Sequence, residues 1–202
     1  MAVSDGSQTR LSAEFLVGAV ASGALVAAAV GWAGTAHATC VSVNGIGNGA
    51  GCTSTPTSFA VGLGNGATAA AQGRFNGAIS IGTDAESTST GVGNLAVAVG
   101  HPGLNGSVMD VVPTDAIARG NFNRAFAFGN GSGAAAIGTN STAFLVGNGS
   151  DSIAAGSVPP PFMPGNNNTA LTVGNFSSVS AIGNNRFAAA FGDHKTKTNT
   201  VG

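Results

Sequence analysis

Glycine returns every nine residues along most of this chain. One series runs Gly64, Gly73, Gly82, Gly91 and Gly100, and a second runs from Gly120 through Gly129, Gly138 and Gly147 to Gly192. A fixed period of this kind marks a stacked repeat architecture. The 20 residues from Gly100 to Gly120 read as two units with two extra residues, which makes 14 units in all. Units such as GNGSGAAAI, GTNSTAFLV and GNNNTALTV have a polar start and an apolar end. Glycine followed by Asn, Thr or Ser is turn chemistry, because Gly and Asn tolerate positive φ. The alternating residues that follow have strand periodicity. One unit is therefore a short strand and a tight turn, too small to bury its own apolar side, so units must stack. The expected fold is all-β, a parallel β-solenoid (β-roll or β-helix). Two strands per coil would give about seven coils. Three strands per coil is open as well, and the repeat does not set the handedness.

Within each unit two columns carry large apolar residues. The residue before each glycine includes Leu63, Ile81, Val99, Phe128, Ile137 and Val146, and the residue three before includes Val61, Ile79, Val97, Phe126 and Phe144. The columns between them are mostly alanine, as at Ala96, Ala98, Ala125, Ala127, Ala134 and Ala136. In a strand these two sets face opposite ways. Burying the larger set removes more apolar surface from water, so Val, Ile and Phe are expected inside and Ala outside. The reverse arrangement would leave a large apolar patch exposed and would imply an oligomer.

Ahead of the repeats, residues 1–38 have the three parts of a cleaved secretory signal. Arg10 is the basic region, Phe15 to Ala33 the apolar run, and Ala36-His37-Ala38 the cleavage motif. Cleavage is expected between Ala38 and Thr39, and an uncleaved membrane anchor is the alternative. The two cysteines, Cys40 and Cys52, follow directly. In an oxidising compartment they should form one disulfide that ties down the first edge of the solenoid. The expected organisation is a signal helix over 1–38, a disulfide-tied segment over 39–57, repeats over 58–192 and a tail over 193–202.

AISIG (78–82), AVAVG (96–100), AAAIG (134–138) and VSAIG (179–183) resemble the head repeats of trimeric autotransporter adhesins. The resemblance covers residues 58–192, although the period differs and no anchor domain is expected. It implies a parallel β-roll that binds host matrix or other surfaces. Calcium-binding rolls also use nine-residue glycine repeats, but they need an Asp in each turn, and here the turns hold Asn, Thr and Ser.

Residues with possible chemistry are few. The interruption His101 to Gly120 gathers His101, Asp110, Asp115 and Arg119, and a second, Gly156 to Gly165, is rich in proline. Loops of this kind, at 101–119 and 157–164, are expected to bulge from the scaffold. His101 and His194 lie in unrelated turns, without a nucleophile elbow. Asp84, Glu86, Asp110, Asp115, Asp151 and Asp193 show no clustering by repeat phase. No catalytic, cofactor-binding or metal-binding residue is expected. Without Arg10, Asp5 and Glu14 of the leader, six basic and six acidic residues remain. That balance gives no electrostatic reason to bind nucleic acid or anionic lipid. The expectation is a secreted or cell-envelope, non-enzymatic structural or adhesion protein. Its partner is unknown: another copy of itself, or an extracellular surface or protein, with no membrane span after processing. The alternatives are an ordered-surface module, for polysaccharide or ice, using Thr68, Thr88, Thr142, Thr169 and Thr172, and less so a polysaccharide-acting β-helix enzyme.

Overall fold

Each nine-residue unit makes one strand and one corner, and successive strands go alternately to two sheets. A computed structural model describes residues 39–48, 51–104, 111–155 and 165–200, all within the unit His37–Gly202. The leader, including Ala38, lies outside the described residues. The first strands are β1 (Thr39–Val43), β2 (Ile46–Gly47), β3 (Cys52–Ser54), β4 (Phe59–Leu63), β5 (Thr68–Arg74), β6 (Gly77–Ile81), β7 (Glu86–Val92) and β8 (Leu95–Val99). A short pair, β9 (Gly103–Leu104) and β10 (Val111–Val112), interrupts the series. Then come β11 (Asp115–Asn121), β12 (Arg124–Phe128), β13 (Gly133–Thr139), β14 (Thr142–Val146), β15 (Asp151–Ala155) and β16 (Gly165–Asn166). The last four are β17 (Thr169–Val173), β18 (Ser178–Ile182), β19 (Phe187–Phe191) and β20 (Thr196–Thr200).

One sheet stacks β4, β6, β8, β12, β14, β17 and β19 in parallel, and is closed at its first edge by β1, antiparallel to β4. The opposite sheet stacks β3, β5, β7, β11, β13, β15, β18 and β20. Two strands therefore make one coil, and the regular step between equivalent residues is 18, as from Asn76 to Asn94. Residues 193–202, expected as a tail, include β20, which pairs with β18 and continues the ladder.

The two interruptions are insertions between coils. Leu95 pairs with Arg124, and the equivalent step from Asn94 to Asn123 is 29 residues. The span from Gly100 to Gly120 is thus not two units and two extra residues, as its length suggests. It is one unit carrying an eleven-residue insertion, part of which is the β9–β10 hairpin. Thr142 pairs with Thr169, where the step is 27. Here a whole nine-residue unit is added, and residues 156–164 lie outside the described part.

The strands face opposite to the expectation. Ala60, Ala78, Ala96, Ala98, Ala125, Ala127, Ala136 and Ala143 are completely buried, while Leu63, Ile81, Ile137, Val146 and Val173 are exposed. The reason is the corner. A β-carbon on Gly64, Gly82 or Gly129 would collide with the carbonyl of the equivalent glycine one coil on, and all three have φ between +130° and +139°. Stacked glycines make the corners tight, and short strands of five to seven residues between them hold the sheets close. The space between them takes Ala, Ser, Thr and an occasional Leu145 or Val179. Close packing decides the orientation over the larger transfer energy of Val, Ile and Phe.

Side-chain ladders complete one corner. Asn76 Oδ1 accepts from the Asn94 amide at 2.9 Å, Asn94 Oδ1 from the Asn123 amide at 2.8 Å, and Asn123 Oδ1 from the Ser141 amide at 2.8 Å. The Asn123 side-chain amide donates to Arg119 O at 2.6 Å and Gly138 O at 2.7 Å. These asparagines are buried, and buried polar groups persist when they are hydrogen-bonded.

Candidate functional site

With the interior filled by small side chains, any recognition chemistry falls to the outer faces. The outer face of the β4–β19 sheet has three columns in register. Val61, Ile79, Val97, Phe126, Phe144 and Leu171 form the middle column, continued at β19 by Ala189. Leu63, Ile81, Val99, Phe128, Val146, Val173 and Phe191 form the next. The rings of Phe126, Phe128 and Phe144 lie 5.9–6.5 Å apart at its centre. Arg124 is the one charged residue among the outward positions of these strands.

The opposite sheet is more polar outside. One column there holds Glu86, Asp115, Gly133 and Asp151. These acids do share a repeat phase, contrary to the sequence reading: each stands five residues before a glycine of the series, and the eleven-residue insertion hides only that Glu86 and Asp115 fall on neighbouring strands. Asp115 is paired directly with Glu86 across β7 and β11. Its Oδ1 is buried and has no hydrogen-bond partner. Burial, then the negative charge of Glu86, raises the Asp115 carboxyl from its ordinary value to about 6, against the opposing pull of Arg119 and of a hydrogen bond from the Ala116 amide. The site thus has a carboxyl that takes a proton near neutrality beside a second carboxylate.

The other residues singled out in the sequence serve the scaffold. Cys40 and Cys52 are bonded and both buried, with Cα atoms 5.3 Å apart. Thr39 is the first residue of β1, paired with Leu63. His101 Nδ1 accepts from the Thr83 amide at 2.9 Å, and its own amide donates to Asn130 Oδ1 at 3.0 Å. His194 stacks on Phe176 with centroids 5.4 Å apart. Asp193 Oδ1 accepts from the Asn175 amide at 2.7 Å, the role Asn plays in other coils. Asp110 lies outside the described residues. Thr172 is buried and donates to Asp151 O, so it leaves the outward threonine row. Thr142 and Thr169 are register neighbours on one sheet, whereas Thr68 and Thr88 lie on the other, in different columns. Among the described residues no group of three or more His, Cys, Asp and Glu is placed to hold a metal ion, and no helix is long and apolar enough to cross a membrane.

Comparison with protein-family models, characterised proteins and solved structures finds no match to this chain.

Proposed function

We propose that this chain is a secreted or envelope-associated, non-enzymatic structural or adhesion-type repeat protein that presents its outer sheet faces to partners. One observation carries the reading: the solenoid displays two long ladders of outward side chains, one apolar and one polar, on a frame whose buried asparagines are spent on corner hydrogen bonds. The buried Cys40–Cys52 bridge suits an oxidising compartment. The likeness of AISIG and VSAIG to adhesin head repeats supports the same reading. Expression of the full chain in a bacterium tests it. A mature form beginning at Thr39 is expected in the envelope or medium, and beads coated with it should be retained on extracellular polysaccharide or matrix protein. Retention should fall when Thr88 and Arg119 on the polar face are replaced by Asp. A full-length cytosolic product, or beads that no surface retains, overturns the reading.

The Glu86–Asp115 pair favours a second reading, a polysaccharide-acting enzyme. The two residues are register neighbours on strands whose backbones are about 4.8 Å apart, which puts their carboxyls within the range a retaining glycosidase pair can use. A proton held on Asp115 would go to the leaving-group oxygen, with Glu86 as the nucleophile. Release of reducing ends from a polysaccharide panel, lost in Asp115→Asn, is the outcome this reading requires. Among the described residues no further strand walls the pair in, which favours the first reading.

A further inference from the structure

We propose that the outer face of the β4–β19 sheet is the interface with a second copy of this chain. The face is continuous: seven strands contribute, and the two apolar columns run its whole length. Its side chains are open to solvent in the single chain, with Phe59, Leu63, Ile81 and Val146 each 38–40% exposed. A patch of this size is rarely left uncovered.

Three observations select a second copy as the occupant. The first is area. Seven strands at a spacing of about 4.8 Å and five residues at about 3.3 Å give a footprint of about 500 Å². Two such faces together bury about 1,000 Å², the lower bound for a specific interface. The second is shape and charge. The face is built on one sheet with a single charged position, Arg124, and so meets its like without burying a set of unpaired charges. The balanced charge of the mature chain adds no long-range repulsion between copies. The third is what the face lacks. It carries no lysine and one arginine, Arg124, too few cations to draw it to an anionic lipid surface. The polar sheet, with Glu86, Asp115 and Arg119, stays outward and free for other partners. The inference does not depend on what that polar sheet binds.

Light scattering on the purified mature protein at micromolar concentration, with its disulfide intact, tests the proposal. The expected mass is two or more chains. The double variant V97K/F144K should have the mass of one chain and an unchanged β-type circular dichroism spectrum. Ile117→Lys, on the opposite sheet, should leave the mass of the parent unchanged. If V97K/F144K loses its β spectrum, Val146→Lys at a more exposed position takes its place, with the same expected fall in mass. A monomeric parent overturns the proposal. So does an oligomer that survives the β4–β19 substitutions or is dissolved by Ile117→Lys. A monomeric parent that floats with phosphatidylcholine and phosphatidylglycerol vesicles would assign the face to lipid instead.

Discussion

Cys40 Sγ lies 2.6 Å from where a β-carbon on Gly62 would stand, and Cys52 Sγ lies 3.3 Å from it. The disulfide thus occupies the inward position of β4 that Ser80, Ala98 and Ala127 fill in later coils. The first coil is packed with sulfur instead of a side chain from residue 62, and the bridge joins β1 of one sheet to β3 of the other. Gly62→Ala should therefore lower stability by about 1–3 kcal/mol through overpacking. In the reduced protein the thiols can move apart and the same substitution should cost less. Thermal melts of parent and variant, with and without reductant, measure both values. An equal cost in the two states would show that the bridge is not what fills the space.

The orientation of the strands is open to a direct check. Ala136 is buried and its neighbour Ile137 is 37% exposed. Ala136→Leu should overpack the space between the sheets and cost at least about 1–3 kcal/mol. Ile137→Asp should leave a folded chain, within about 0.5 kcal/mol of the parent, as most surface changes do. Chemical denaturation of both variants decides this. An unfolded Ile137→Asp beside a native-like Ala136→Leu is the result that would reverse the orientation.

Asn123 joins its own coil to the next, accepting from Ser141 N and donating to the carbonyls of Arg119 and Gly138. Asn123→Ala leaves buried backbone groups without partners and should cost about 3 kcal/mol. Asn123→Ser should recover part of that, since Ser141 fills the equivalent position in the next coil and accepts there from the Asn168 amide. Protection of the Ser141 amide from hydrogen exchange should be lost in the alanine variant.

Asp115 makes stability depend on pH. Its folded-state carboxyl titrates at about 6 against 3.8 ordinarily, so the folded protein holds this proton more tightly than the unfolded chain does. The contribution is greatest below about 3.8, falls as pH rises through the window to 6, and is level above it. The loss across that window is about 3 kcal/mol by linkage. Melting temperature should drop from pH 4.5 to pH 7.5, and Asp115→Asn should flatten that slope and raise stability at the upper pH. A slope unchanged in Asp115→Asn would place the proton elsewhere.

Phe122 sits in the corner with φ +55°, a conformation that costs L side chains about 1 kcal/mol or more, and Asn140 holds the equivalent place in the next coil with φ +53°. Phe122→Gly should therefore raise the melting temperature by a few degrees, a shift of about 1 kcal/mol. A fall would show that the Phe122 ring, which covers Gly93, contributes more than the strain removes.

The nine-residue glycine period was enough to give the parallel solenoid, because the stacked corners need a residue without a β-carbon at the same interval. Cys40 and Cys52 were likewise legible as a pair. The count of units between Gly100 and Gly120 was not, since 20 residues fit two short units as well as one unit with an insertion, and only the pairing of Leu95 with Arg124 separates them. That shift also concealed the alignment of Glu86 with Asp115. Alternation in the sequence showed that Ala136 and Ile137 face opposite ways but not which is inside. Transfer energy favours isoleucine there. Tight corners of glycines stacked one coil apart, a contact between residues 18 apart in the chain, hold the sheets close and leave room mainly for Ala, Ser and Thr.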